Sequence, residues 1–407
     1  MSARAPSPWI WRMARQRPWR NAVAGLLTWG LVACAVAQPG PLAQAATAPP
    51  AKPEALTVMV FEGAFNLPLW VAQKQGYFAT QGLQITLQPA RGSVQVVEAL
   101  HTGQAELALM SVDNVLAYAG GQGESTQARA GADLVAFMAG DNGLLSLVGR
   151  PGVSSVAGLK GLRLAVDAQT TGFAFVAREL LARAGLAAGP GPQQVQVLSA
   201  GGTAQRYQQL VQDRFEATLL RPPYERLAQR QGFGVLARGT DVAPHYLGTV
   251  GVVRTPWAQA HPQAVMGFLR AYRDALQWLQ QPGHRAQAQA LLQQHFAELL
   301  ATDAAAVLAD LLAPQGGLNF SMAIDLQALA AVQQLRQVHG PAQPNGPAGK
   351  APPVVPVDLR WWQALQLEAP PGGRTAGGDG PGHPVAEPPG QVSGGVVCFS
   401  GCTEGSE

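Results

Sequence analysis

Short apolar runs recur along the first two-thirds of this chain, and each is followed by a polar turn and then by helical spacing. The first, residues 58–61, has the length and residue types of a buried strand. Its turn carries Glu62, Phe65 and Asn66. Pro68 then stands where a first-turn proline belongs, because its missing N–H costs nothing there. Gly76 and Gly82 suit left-handed caps that interrupt and close the helix. Residues 83–88 alternate apolar and polar, as a half-buried strand does, before the turn Arg91-Gly92-Ser93, and a short apolar run returns at 106–110 with Ser111-Val112-Asp113. Strands are expected at 134–138 and 144–148, on either side of Gly140-Asp141-Asn142-Gly143. Three further units follow: 162–166 with Thr170-Thr171-Gly172, 195–198 with Gly201-Gly202-Thr203, and 216–220 with Arg221-Pro222-Pro223. Strands alternating with helices of this length select βαβ units, hence an α/β fold with mostly parallel sheet. Residues 249–254 read as a strand returning to the first block, and the pattern beyond them is helical to Gly340.

The 407 residues suffice for two modest domains with appendages. The net charge of +3 is misleading, because Arg4, Arg12, Arg15, Arg17 and Arg20 sit together at the start; without those five, 23 of the 28 basic residues face 25 acidic ones. No nucleic-acid signature remains. The arginines and the apolar segment 22–37, shorter than a membrane span needs, read as a secretory signal within residues 1–45. Cleavage after Ala37 or Ala45 competes with lipidation of Cys34, since Leu31-Val32-Ala33-Cys34 resembles a bacterial lipobox. Residues 46–55 read as a linker, and 370–407, rich in Gly and Pro, as a disordered tail. Cys398 and Cys402 suit a small disulfide in an oxidising compartment; a lone C-x₃-C pair is weak evidence for a metal.

There is no G-x-S-x-G elbow, no P-loop, and neither H-E-x-x-H nor paired-Cys metal spacing. No cofactor or metal is expected. His245, His261, His284 and His295 are scattered and read as surface or helix-end residues. What recurs is the loop-to-helix junction. Such a junction offers unpaired N–H groups and the positive end of a helix dipole, and it binds anions without a dedicated lysine. The candidate ligand-binding residues are Glu62, Phe65, Asn66, Gly92, Ser93, Ser111, Val112, Asp113, Asn142, Thr170, Thr171, Gly172 and Arg221. Ordinary helix capping would explain any one of these junctions; several in one chain favour a cleft. Phe61 and Phe65 suit an apolar wall, Trp70 the core. Arg221 reads equally as an anion partner or as a surface residue.

The spacing of Pro68, Ala72, Gly76-Tyr77-Phe78 and Gly82-Leu83 resembles the start of mature solute-binding proteins of ABC importers, in the nitrate, sulfonate, taurine and thiamine-pyrimidine-precursor group. Further matches stand at 158–166, 103–108, 212–218, Trp257 to Pro262 and Phe268 to Tyr272, so the resemblance covers roughly residues 56–367. It implies a type 2 periplasmic-binding-protein fold with two crossover strands. Domain I would hold 56–143 and 249–369, domain II 144–248. It also implies an exported, periplasmic receptor that closes on a small anionic organic solute and delivers it to permease and ATPase subunits, without catalysis. The junctions above would line its pocket. Glu106 and Glu216 replace the family's usual Asp. The Phe61 and Glu62 positions lack the Trp pattern associated with pyrimidine binding. The alternatives are a pyrimidine-precursor binder, a pyrimidine-synthesis enzyme relative, whose cysteine-rich motif does not occur in 56–367, and a periplasmic sensor domain.

Overall fold

The computed structural model describes residues 52–125, 133–244, 246–340 and 356–368. The signal segment, Cys34, most of the linker, His245 and the tail with Cys398 and Cys402 lie outside the described residues. The chain opens with β1 (Glu54–Val60), α1 (Leu67–Lys74), α2 (Tyr77–Thr80), β2 (Leu83–Pro89), α3 (Ser93–Thr102), β3 (Leu107–Ser111), α4 (Val112–Ala119) and β4 (Leu134–Ala139). A second series follows: β5 (Ser146–Gly149), β6 (Arg163–Val166), α5 (Gly172–Arg183), β7 (Gln196–Ser199), α6 (Thr203–Val211), β8 (Ala217–Leu220), α7 (Tyr224–Arg230) and β9 (Gly234–Arg238). The chain then returns through β10 (Thr249–Arg254) into α8 (Thr255–Ala260), α9 (Pro262–Gln280), α10 (Arg285–His295), α11 (Ala301–Leu311), α12 (Leu326–His339) and α13 (Arg360–Leu367).

Two five-stranded sheets result, ordered β2-β1-β3-β10-β4 and β7-β6-β8-β5-β9. The expected α/β class with mostly parallel sheets is what forms. The exceptions are β10, antiparallel to β3 and β4, and β5, antiparallel to β8 and β9. These are the strands that enter each sheet from the other. Chain leaving the carboxyl end of β4 reaches the second sheet at the carboxyl ends of its strands, so it must run against them; β10 repeats this in reverse. The strand at 249–254 was legible in the sequence, whereas β9 was not. Its five residues are only half-buried, with the last exposed, although the apolar stretch 233–237 runs through four of them.

Helices cover both faces of the first sheet. Helices α1, α2 and α9 pack together with α10 and α13, while α3 and α4 lie on β3 with α12 beside them. Trp70 is core as expected, stacked at 3.8 Å on His295. His261 meets Glu54 at 2.8 Å and His284 stacks on Trp278, so these histidines have structural partners. Helix α12 also packs on α5 and ties the two sheets' helices together. Its Arg336 donates from Nε and Nη2 to Asp113 at 2.7 and 2.6 Å, and from Nη2 to the Thr170 carbonyl at 3.2 Å.

Behind the crossing segments lies a cavity of about 190 Å³, walled by residues 143–146, Pro222, Glu225, Asp310 of α11 and Ala313 just after it. Glu225 is 4% exposed, and its Oε2 has no hydrogen-bond partner among the described residues. Burial, reinforced by Asp310, pushes this carboxyl up to about 7 from an ordinary 4.5. A carboxyl raised on folding contributes stability that is full below its unfolded value and lost as pH climbs through its folded value. Between pH 4.5 and 7 the wild type should therefore lose about 3 kcal/mol relative to Glu225→Gln. Urea unfolding of both proteins across that window tests this, and parallel pH profiles would refute it.

Candidate functional site

The carboxyl ends of the parallel strands in both sheets open onto one cleft of about 500 Å³. This is where a doubly wound α/β sheet presents ligand sites, because loops and helix N-termini converge there. The first sheet contributes Phe61, Glu62 and Phe65 after β1, residues 89–94 after β2, and Ser111 with Asn114 after β3. The second contributes Asp167, Thr171, Gly172 and Phe173 after β6, residues 201–206 after β7, and Arg221 after β8.

The predicted residues divide into two groups. Glu62, Phe65, Gly92, Ser93, Ser111, Thr171, Gly172 and Arg221 line the cleft. Asn66, Val112, Asp113, Asn142 and Thr170 do not, each for a local reason. Asn66 is 2% exposed and donates to the Phe61 carbonyl at 2.6 Å, and Val112 points into the core. Asp113 is fully buried and consumed by Arg336; burial pushes its carboxyl up even against that partner. Asn142 accepts from Asn319 at 3.1 Å. Thr170 donates to Glu124, itself on the cleft, at 2.5 Å. Ser93 is the first helical residue of α3 rather than its cap, which is Gly92.

Arg221 is committed elsewhere. Its Nη2 donates to Asp141 at 2.5 Å, Nη1 to the Thr249 hydroxyl at 3.0 Å and Nε to the Leu144 carbonyl at 3.1 Å. The guanidinium lies 3.6 Å above the Phe65 ring. It shapes the cleft floor, with its charge neutralised by Asp141. Glu62 is exposed and accepts from the Tyr224 hydroxyl. Gly172 answers a steric demand: a Cβ there would stand 2.7 Å from the Asp113 Cβ and 3.0 Å from the Tyr246 hydroxyl.

Three groups escaped the sequence reading. Asn114 is 9% exposed, lines the cleft, and its amide makes no hydrogen bond within the described residues. It stands three residues after Ser111, and that i, i+3 spacing on one helix face was the available signal. The Ser111 Oγ is buried and also has no partner among the described residues. Arg206 and Asp167 flank the N-terminus of α6. Arg206 sits within a largely polar helix, where it reads as solvated, yet it is 1% exposed. Gly92 and Gly202 cap α3 and α6 without side-chain oxygens, and the Gly202 Cα faces the Arg91 carbonyl closely enough that an added Cβ would lie 4.0 Å from it. The cleft therefore gathers open backbone amides, a free hydroxyl and a free amide between aromatic walls. Such a surface can hold the oxygens of a small polar molecule.

Ser111 and Thr171 differ in a way that can be measured. The Thr171 hydroxyl accepts from the Ala174 N–H at 3.4 Å and donates to Asp167 at 2.7 Å. Thr171→Ala should cost about 1 kcal/mol, the usual loss of a helix cap. Ser111→Ala removes a buried oxygen that makes no bond, so it should be neutral or stabilise by up to about 1 kcal/mol. Urea denaturation of both variants checks the contrast, and an equal loss in the two would refute it.

The family model described as NMT1/THI5 like matches residues 66–285, more than half of the chain. A search of curated proteins finds no match. Among solved structures, the chain is similar to the periplasmic aliphatic sulphonate binding protein SsuA from Escherichia coli, at 22% identity and a TM-score of 0.55, covering 70% of this chain and 86% of that one. It is similar to the alkanesulfonate-binding protein SsuA from Xanthomonas axonopodis pv. citri bound to MOPS, at 20% identity and 0.56, covering 71% and 93%. A zinc-bound ligand-binding component of an ABC-type import system from Staphylococcus aureus aligns at 14% identity and 0.58, covering 77% and 99%. At these identities the likeness is one of fold, and it agrees with the two five-stranded sheets joined by antiparallel crossing strands. The chain belongs to the NMT1/THI5-like family.

Proposed function

We propose that this protein is the exported substrate-binding component of an ABC importer. It captures a small anionic organic solute, of sulfonate or taurine type, in the cleft between two lobes, residues 56–143 with 249–369 and residues 144–248. Closure of the lobes about the crossing segments commits the solute for delivery to permease and ATPase subunits encoded elsewhere. The observation that carries this reading is the unsatisfied polar edge of α4: a buried Ser111 Oγ and the Asn114 amide, both facing a cleft onto which the N-termini of α3 and α6 also open. Leaving the buried Ser111 hydroxyl unpaired costs about 1–3 kcal/mol, which a ligand's oxygen would remove, while the Asn114 amide at the cleft surface would exchange water for the ligand. Helix N-termini favour negative charge. Two similar structures are of sulphonate-binding proteins, which supports the same ligand chemistry. A cleft of about 500 Å³ also suits an organic solute better than nitrate alone.

A thermal-shift screen of the full chain tests the proposal, with alkanesulfonates, MOPS, taurine, nitrate, aromatic carboxylates and hydroxymethylpyrimidine. At about 100 times its dissociation constant a true ligand adds roughly 2.7 kcal/mol of stability. The midpoint should rise with a sulfonate, and the compound should be recovered unchanged. A response confined to hydroxymethylpyrimidine, or release of a reaction product, would overturn the reading.

A further inference from the structure

Three arginines are buried among the described residues, and two of them contact a carboxylate: Arg221 with Asp141 and Arg336 with Asp113. Arg206, the most buried at 1% exposure, has no carboxylate within ion-pair distance among the described residues. Its Nε donates to the Thr218 hydroxyl at 3.1 Å. Its Nη2 donates to the Leu219 carbonyl at 2.9 Å and the Thr203 hydroxyl at 3.3 Å, and its Nη1 donates to the Gly201 carbonyl. All four acceptors are neutral. A buried cation without a counter-charge is costly, and the cost falls when an anion arrives beside it.

Asp167 is the carboxylate whose charge acts on Arg206, and it does so from beyond contact distance. It is a weak counter-ion. Burial pushes its carboxyl up against the pull of Arg206, and one of its oxygens is engaged by Thr171. Arg206, Asp167, Gly201 and Thr203 all border the cleft.

Resting on the solute-binding reading above, we propose that Arg206 sets the charge of the solute this protein accepts: the anionic group of the ligand becomes its counter-ion, in competition with Asp167. The ligand class is an organic monoanion, a sulfonate or carboxylate, and the neutral isostere of the same shape is rejected. Arg206 acts at the cleft surface through the Gly201 carbonyl and Thr203 hydroxyl it holds, so it orients the first turn of α6 as well as charging it. The competition makes binding depend on pH. Asp167 faces Arg206 of α6 and Thr171 of its own turn, and it feels Asp113 of α4, already tied to Arg336, and Tyr246 before β10. When Asp167 takes up its proton the anion meets an uncontested cation. When Asp167 ionises, it both neutralises Arg206 and repels the ligand.

Calorimetric titration of the full chain with butane-1-sulfonate and with butane-1-sulfonamide tests this. The wild type should favour the sulfonate by about 100-fold, Arg206→Met should erase that preference, and Arg206→Lys should retain most of it. Asp167→Asn leaves every Arg206 hydrogen bond in place; it should tighten sulfonate binding about tenfold at pH 8 and flatten its pH profile. Equal wild-type affinity for both compounds overturns the proposal while the solute-binding reading stands. Binding of neither compound overturns the anionic-solute reading and this proposal with it. Should Arg206→Met fail to fold, Asp167→Asn decides: unchanged affinity and an unchanged pH profile overturn the proposal.

Discussion

One buried ion pair holds the crossing between the two sheets. Asp141, in the segment leaving β4, accepts from Arg221 at 2.5 Å, from the Thr249 N–H at 3.3 Å and from the Gly143 N–H at 3.0 Å. Burial alone would raise this carboxyl, but the Arg221 charge and these hydrogen bonds hold it below its ordinary value. Arg221 stands at the end of β8, while Thr249 opens β10, so a single guanidinium joins the outgoing segment, the returning strand and the second sheet. Phe65, from the loop after β1, covers its face. Pairs this deeply buried are worth little against an apolar substitute, yet removing one partner costs about 3–5 kcal/mol because a charge is left stranded. The node is therefore better understood as fixing where the sheets join than as a source of net stability.

That commitment shapes the cleft. With Arg221 neutralised by Asp141, and Asp113 by Arg336, the obvious charged residues near the strand ends are spent on architecture. The cleft wall keeps backbone amide at glycine-capped helix ends, the Ser111 hydroxyl, the Asn114 amide, the charged side chains of Arg91, Glu62 and Glu124, and Arg206, whose charge Asp167 opposes only from beyond contact distance. These are weak groups singly. They gain force together, because a half-enclosed site screens charge less than water does. With glycine at the caps of α3 and α6 the first-turn amides carry no side-chain cap, whereas a Ser, Thr, Asp or Asn there would turn its own oxygen onto them.

Much of the fold was legible because period and punctuation agree in this chain. Short apolar or alternating stretches followed by turn and cap residues located nine of the ten strands, and the strand at Thr249–Arg254 stood at its observed bounds. The lining residues that were found, such as Gly92, Ser111 and Gly172, sit at junctions, where local sequence and site position coincide. The residues that were assigned to the site but lie off its wall, such as Asp113 and Asn142, are polar side chains whose partners come from far along the chain. Arg336 is 223 residues from Asp113, and Asn319 is 177 from Asn142. No local pattern announces such a pairing. Arg206 shows the converse, for only folding reveals that its neighbours are Thr218 and Leu219 of β8 and that water is excluded.

By itself the sequence determined the alternation of strand and helix, the parallel character of the sheets and the helix ends that face a cleft, since these follow from hydrophobic period, turn chemistry and capping, all local. Tertiary structure alone decided which charges are spent and which stay open. That depends on burial and on partners brought together across the chain: the same guanidinium is a structural tie in Arg221, where Asp141 lies 2.5 Å away, and an unmatched charge in Arg206, where every acceptor in reach is neutral.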